Sequence, residues 1–134
     1  MEYDVNNLIE KAKDVSKNAW APYSNYIVGT ALLTSSNKIY TGCNIENNGI
    51  QSICGERVAF CKALSEGERE FVAIAVVGKS KDENKFVQTL PCGYCRQFIS
   101  EFCKPDFKIY TYNEISNKVN EYKLEELLPH TFKL

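Results

Sequence analysis

This chain of 134 residues has neither an excess of basic charge nor a long apolar run. Lys and Arg number 16 against 17 Asp and Glu, for a formal net charge of −1 at pH 7. Nucleic-acid binders usually show a basic stripe, whereas here cations are scattered among acids. The one short mixed run, Lys79-Ser80-Lys81-Asp82-Glu83, reads as a solvated loop. These features argue against nucleic acid as a partner, and the lack of a spanning apolar stretch argues against a membrane. The segment Met1-Glu2-Tyr3-Asp4-Val5 lacks the basic start and apolar core of a secretory signal, which points to a cytoplasmic protein. Its six cysteines then read as thiols or metal ligands, although the even count would also fit three disulfides in an exported chain. Histidine occurs once, as His130, where it reads as a surface residue of the C-terminal tail.

What is present resembles an ordinary globular chain, 44% apolar and 25% charged. The length suits a single domain over residues 1–134, able to bury about 68–70% of its unfolded surface without staples. Val5, Leu8, Ile9, Ala12, Val15, Ala19 and Trp20 follow helical spacing, predicting a first helix from Asp4 to Trp20 that Pro22 ends. Tyr26 to Thr34 reads as a buried strand, Ser35-Ser36-Asn37 as a turn and Lys38 to Cys43 as the return strand. A polar loop covers Asn44 to Ser52. A second helix runs from Cys54 to Glu66 with Gly67 as its cap, and a central strand from Phe71 to Gly78. Pro91 is expected at the first position of a third helix that continues to about Cys103. Strands are expected over Phe107 to Tyr112 and Val119 to Tyr122, then a short helix over Leu124 to Leu128. This order argues for an α/β fold, a three-layer αβα sandwich around a mixed five-stranded sheet.

Two short motifs carry the chemistry. Cys54-Gly55-Glu56 opens the second helix and Pro91-Cys92-Gly93-Tyr94-Cys95 opens the third. Helix N-termini carry partial positive charge and stabilise thiolates, and Cys92 and Cys95, three apart, lie on one helical face. Three thiolates around Zn²⁺ leave its fourth tetrahedral position to water, which the metal acidifies. A purely structural site would be closed by a fourth side chain. Glu56 supplies a carboxylate for proton transfer at that water, provided Cys54 sits at the cap, where the backbone is not yet helical. Arg57 is placed to offset the site's formal charge of −1, or else makes a surface ion pair. Alone, Cys92-x-x-Cys95 would equally suit a redox dithiol or half of a structural zinc knuckle. Cys61 and Cys103 fall on apolar helix faces and read as buried core thiols, and Cys43 stays open as a further ligand.

The combination Cys54-Gly55-Glu56-Arg57 with Pro91-Cys92-Gly93-Tyr94-Cys95-Arg96-Gln97 resembles the small homotetrameric zinc cytidine deaminases. The likeness continues through Ala21 to Gly29, through Thr41-Gly42-Cys43-Asn44-Ile45-Glu46-Asn47 and through Leu127-Leu128-Pro129-His130-Thr131-Phe132. It implies hydrolysis of cytidine and deoxycytidine to uridine and deoxyuridine with loss of ammonia, a pyrimidine-salvage reaction. Zn²⁺ would be held by Cys54, Cys92 and Cys95, with Glu56 moving protons to ring nitrogen N3 and to the departing amino group. Asn44 and Glu46 would bind the ribose, backbone around Cys54 and Gly55 would orient the pyrimidine, and Tyr26 stands where the family has a phenylalanine against the nucleoside. Phe132 would close over the base, in its own or a neighbouring subunit's site, within a tetramer of D2 symmetry. The chain departs from the family in a loop between Asn47 and Cys54 that is one residue shorter, in lacking that loop's tyrosine, and in Gly55 replacing alanine. A shortened loop is shared with blasticidin S deaminases, so a modified cytosine nucleoside or nucleoside antibiotic is the alternative substrate. A noncatalytic zinc-stabilised module is the alternative of another class.

Overall fold

The computed structural model describes residues 1–134. Five strands, β1 (Tyr26–Thr34), β2 (Ile39–Cys43), β3 (Phe71–Ser80), β4 (Lys108–Asn113) and β5 (Lys118–Lys123), form one sheet in the order β2-β1-β3-β4-β5. Only β3 and β4 run parallel, so the sheet is mixed. Helix α1 (Val5–Ser16) covers one face; α2 (Gly55–Ser65), α3 (Gly93–Phe102) and the short α4 (Leu124–Leu127) cover the other. This is the expected three-layer αβα sandwich.

Strand alternation divides the core into two layers. On β3, Ile74 and Val76 face α2 and α3, while Ala73, Ala75 and Val77 face α1. The small alanines draw α1 close, and Gly29 of β1 makes the approach closest of all. A Cβ there would lie 1.9 Å from the Ala12 carbonyl oxygen and 2.9 Å from Ser16 Cβ. On the opposite face Phe60 sits at the centre. Its ring centroid lies 4.9 Å from that of Phe71 and 6.2 Å from those of Phe98 and Phe102, locking α2 against α3.

Several element ends differ from the sequence reading. Helix α1 stops at Ser16, and its last turns tighten through Asn18 N–H to Val15 O and Ala19 N–H to Ser16 O. Trp20, expected within the helix, instead donates its N–H to Asn44 O and accepts from Glu46 N–H. Its apolar side chain fits the helical spacing, but its backbone is used by the 44–46 segment. Pro91 lies ahead of the helix cap rather than at the first helical position, because Cys92 is the N-cap and Gly93 begins α3. Cys61 is exposed, not a core thiol, and Cys103 is half-buried against the aromatic core. Gly67 has the positive φ of 95° expected of a C-terminal cap, with Glu68 N–H bonded to Ala63 O.

Replacing Gly29 by alanine should cost about 3 kcal/mol, since the new methyl meets helix backbone rather than a movable side chain. Urea titration should show a lower unfolding midpoint with an unchanged slope; an unaltered midpoint would mean that α1 is not anchored here.

Candidate active site

Helices α2 and α3 both begin with a cysteine at the N-cap. Cys54 has φ −76° and ψ 152°, Cys92 has φ −68° and ψ 168°, and neither side chain caps its helix. An N-cap side chain ordinarily satisfies one of the free N–H groups of the first turn. Here both sulfurs are turned towards each other, 3.7 Å apart. Cys95, on the first turn of α3 and fully buried, completes a cluster whose three sulfurs lie within 4.8 Å of one another. Cys92 and Cys95 therefore meet as cap and first turn, not as two residues inside one helix. No fourth His, Cys, Asp or Glu joins them, so Cys43, Cys61, Cys103 and His130 are excluded as ligands.

The donor set fits zinc. Tetrahedral Zn–S bonds of about 2.3 Å place sulfurs about 3.8 Å apart, close to the Cys54–Cys92 separation, whereas a disulfide needs about 2.05 Å. All six cysteines are free thiols. Charge within the cluster settles on Cys54. A hydrogen bond from the Cys95 thiol holds Cys54 down to about 5, with Arg57 and Cys92 assisting against burial. The Cys95 thiol is correspondingly pushed up, by that same bond and by burial.

Glu56 is only 3% exposed, and burial pushes its carboxyl up to about 7. Its own backbone N–H and Arg57 oppose the rise, and the Cys54 charge adds to it. Because Cys54 is extended and Glu56 is already helical, the two side chains escape the divergence that a wholly helical i, i+2 spacing would impose. Arg57 reaches Cys54 Sγ at 3.5 Å through Nη2, and its guanidinium lies 4.3 Å over the ring of Tyr94. A cation held by an aromatic face keeps its charge, unlike one paired with a carboxylate. Tyr94 was not legible as a functional residue, although an aromatic between two metal ligands is a recognisable signal.

Asn44 is half-buried, and both ends of its amide are bonded to β1. Its Oδ1 accepts from Val28 N–H at 2.9 Å and its Nδ2 donates to Tyr26 O at 2.8 Å. Glu46 accepts from the N–H groups of Tyr23 and Ser24 and from the Ser24 hydroxyl. Glu46 thus fastens the α1–β1 connection, and Asn44 the start of β1, to the 44–46 segment. Tyr26 bonds Thr89 through its hydroxyl at 2.6 Å, two residues ahead of Pro91. Gly55 is buried at the first helical position, and Phe132 is 65% exposed with its carbonyl accepting from Gln97. Asn48, in the loop ahead of α2, accepts from the Tyr23 hydroxyl, and Ile50 in the same loop stands fully exposed.

A mixed sheet with three thiols gathered at two helix N-termini, and a buried glutamate beside them, defines a metal-dependent hydrolytic centre. A family model described as the cytidine and deoxycytidylate deaminase zinc-binding region matches residues 3–111. A cytidine deaminase of Sporosarcina psychrophila is 42% identical over 130 residues, spanning 96% of this chain and 91% of that protein. Another, of Halalkalibacterium halodurans, is 42% identical over 127 residues, spanning 93% and 91%. The crystal structure of cytidine deaminase from Burkholderia pseudomallei superposes with a TM-score of 0.87 at 40% identity, covering 97% of this chain and 100% of that one. The chain belongs to the zinc-dependent cytidine deaminase family.

The Ser24 hydroxyl, against the opposing effect of burial and with the N–H groups of Tyr23 and Ser24, holds Glu46 below its ordinary value of 4.5. A folded-state pKa below the unfolded one contributes stability above the unfolded pKa, and that contribution is lost as pH falls through the folded value. Glu46→Gln should therefore be less stable than the parent at pH 7. The gap should close as pH drops below 4.5, read by thermal unfolding across pH; a pH-independent gap would contradict this.

Proposed function

We propose that the protein catalyses hydrolytic deamination of cytidine and deoxycytidine, consuming water and releasing ammonia, with residues 1–134 acting as one catalytic unit. The observation that carries this reading is the buried Glu56 carboxyl in the first turn of α2, beside three converging thiols. Burial raises the proton affinity of this carboxyl, which suits a group that must both accept and return a proton. Cys54, Cys92 and Cys95 would hold the metal. Zinc bound to these sulfurs would supply an acidified water for attack on the ring. Glu56 takes a proton from the attacking water and delivers it to N3 of the cytosine ring. It then takes the second proton from the new C4 hydroxyl and gives it to the amino group, which leaves as ammonia as the C4 carbonyl forms. Burial of Glu56 keeps bulk water from competing for that proton. Arg57 offsets the negative charge of the thiolates. Asn44 and Glu46 meet the ribose hydroxyls, Gly55 presents backbone to the pyrimidine, and Tyr26 packs against the nucleoside.

The reading extends to assembly and setting. Trp20, Tyr23, Ile50, Tyr94 and Phe132 are large apolar side chains left exposed by one chain, a set that supports a homotetramer in which Phe132 closes over a site. Such a protein acts in the cytoplasm, where its thiols stay reduced, and serves pyrimidine salvage. Sedimentation should give four times the chain mass of 15.2 kDa, and a monomer would remove the shared-site arrangement.

Glu56→Gln should retain one zinc per chain and the parent's far-ultraviolet spectrum while kcat falls about a thousandfold. Loss of cytidine absorbance is the assay, run with deoxycytidine and N4-substituted analogues alongside. Unchanged turnover in the variant would remove Glu56 from the chemistry. Parent activity confined to modified bases would replace the substrate reading.

A further inference from the structure

Thr30 lies in the middle of β1 and is fully buried, yet it carries a hydroxyl. That hydroxyl lies 3.0 Å from Gly55 O and 3.2 Å from Gly42 O, so one proton is shared between two backbone carbonyls. The carbonyl of Gly55 belongs to the peptide whose N–H is that of Glu56. The surroundings leave this peptide little freedom. A Cβ on Gly42 would lie 2.4 Å from Gly55 O, and a Cβ on Gly55 would lie 3.2 Å from Gly42 O and 3.3 Å from Thr30 Cγ2. The start of α2 is thus seated directly on the backbone of the β1–β2 hairpin, and Thr30 supplies the one side-chain hydrogen bond across that seat. Its methyl fills the remaining space.

We propose that Thr30 is a positioning residue for the proton-transfer group. By clamping the Gly55–Glu56 peptide to β1, its hydroxyl fixes the plane from which the Glu56 side chain departs. Rotation of this peptide swings the carboxylate relative to the three sulfurs. A displacement well below 1 Å is costly when proton donor and acceptor must be aligned. The bond serves orientation at Glu56; it touches no group assigned to the ribose and, of the Gly55 backbone assigned to the base, engages only the carbonyl, which it ties to β1. Its loss therefore falls on kcat, with substrate binding left in place.

This proposal rests on the role given to Glu56, and the experiment separates the two. Thr30→Val removes the hydroxyl while keeping the shape, Thr30→Ala removes it without crowding the carbonyls, and Thr30→Ser keeps it. Each is purified with zinc, and its metal content, thermal midpoint, kcat and KM for cytidine are measured beside Glu56→Gln. Valine and alanine variants should hold one zinc per chain, lose about tenfold in kcat and keep KM within about twofold, with serine restoring kcat to within about twofold. Parent-like kcat in both hydroxyl-free variants, with Glu56→Gln inactive, would overturn the positioning role alone. A serine variant as slow as alanine would also overturn it, by assigning the effect to packing. Loss of zinc in step with kcat would move the role from Glu56 to the metal seat and defeat the proposal. An active Glu56→Gln would instead defeat the reading on which it stands.

Discussion

Two helix N-termini converge on three sulfurs, and the rest of the architecture serves to hold those two starts together. Thiolates at close range repel one another unless a metal or donor groups intervene, so the geometry must be imposed from outside the cluster. The sheet imposes it. β2 delivers the chain to the loop before α2, β3 delivers it to the loop before α3, and the pairing of both with β1 fixes their separation. Phe60 then locks the two helices to each other further along their length. Close backbone contact between Gly42 and Gly55 removes the last freedom at the α2 start, leaving both caps where an ion can bridge them.

Electrostatics at this junction are arranged around one concentrated negative charge. Cys54 is stabilised as a thiolate by donors from three sides, and Arg57 adds a cation that no carboxylate neutralises. The Nε of Arg57 is buried without a hydrogen-bond partner, so the group is held by its Nη2 contacts and by the face of Tyr94. Glu56, a single residue away, experiences the opposite environment and holds its proton near neutrality. Adjacent side chains thus differ sharply in what they do with charge, because Arg57 keeps part of its surface in solvent whereas Glu56 is buried.

Much of this was legible in the chain before any coordinates. Cys54, Cys92 and Cys95 assemble as their motifs implied, since a cysteine at a helix start carries a local signal in its own neighbours. The five strands and the layer order followed from apolar runs such as Ala73 to Val77, which only a doubly covered strand tolerates. What escaped was decided by partners distant in sequence. Trp20 fits a helical period, but its backbone pairs with Asn44 and Glu46, some 25 residues away. Cys61 fits an apolar period yet faces outward beside Ile45 and Lys62. Thr30 reads as one more β-branched residue, because the carbonyls it bonds come from two other segments.

On the ribose role proposed for them, Asn44 and Glu46 carry a consequence for affinity. Both side chains are already immobilised by backbone groups of the α1–β1 connection and of β1 itself. Freezing a flexible polar side chain on association ordinarily costs about 0.5–1.5 kcal/mol, and here that entropy was surrendered when the chain folded. A nucleoside whose ribose meets these two groups encounters a rim that is rigid beforehand. Its binding free energy is spent on its own ordering, and the fold has underwritten the protein's share.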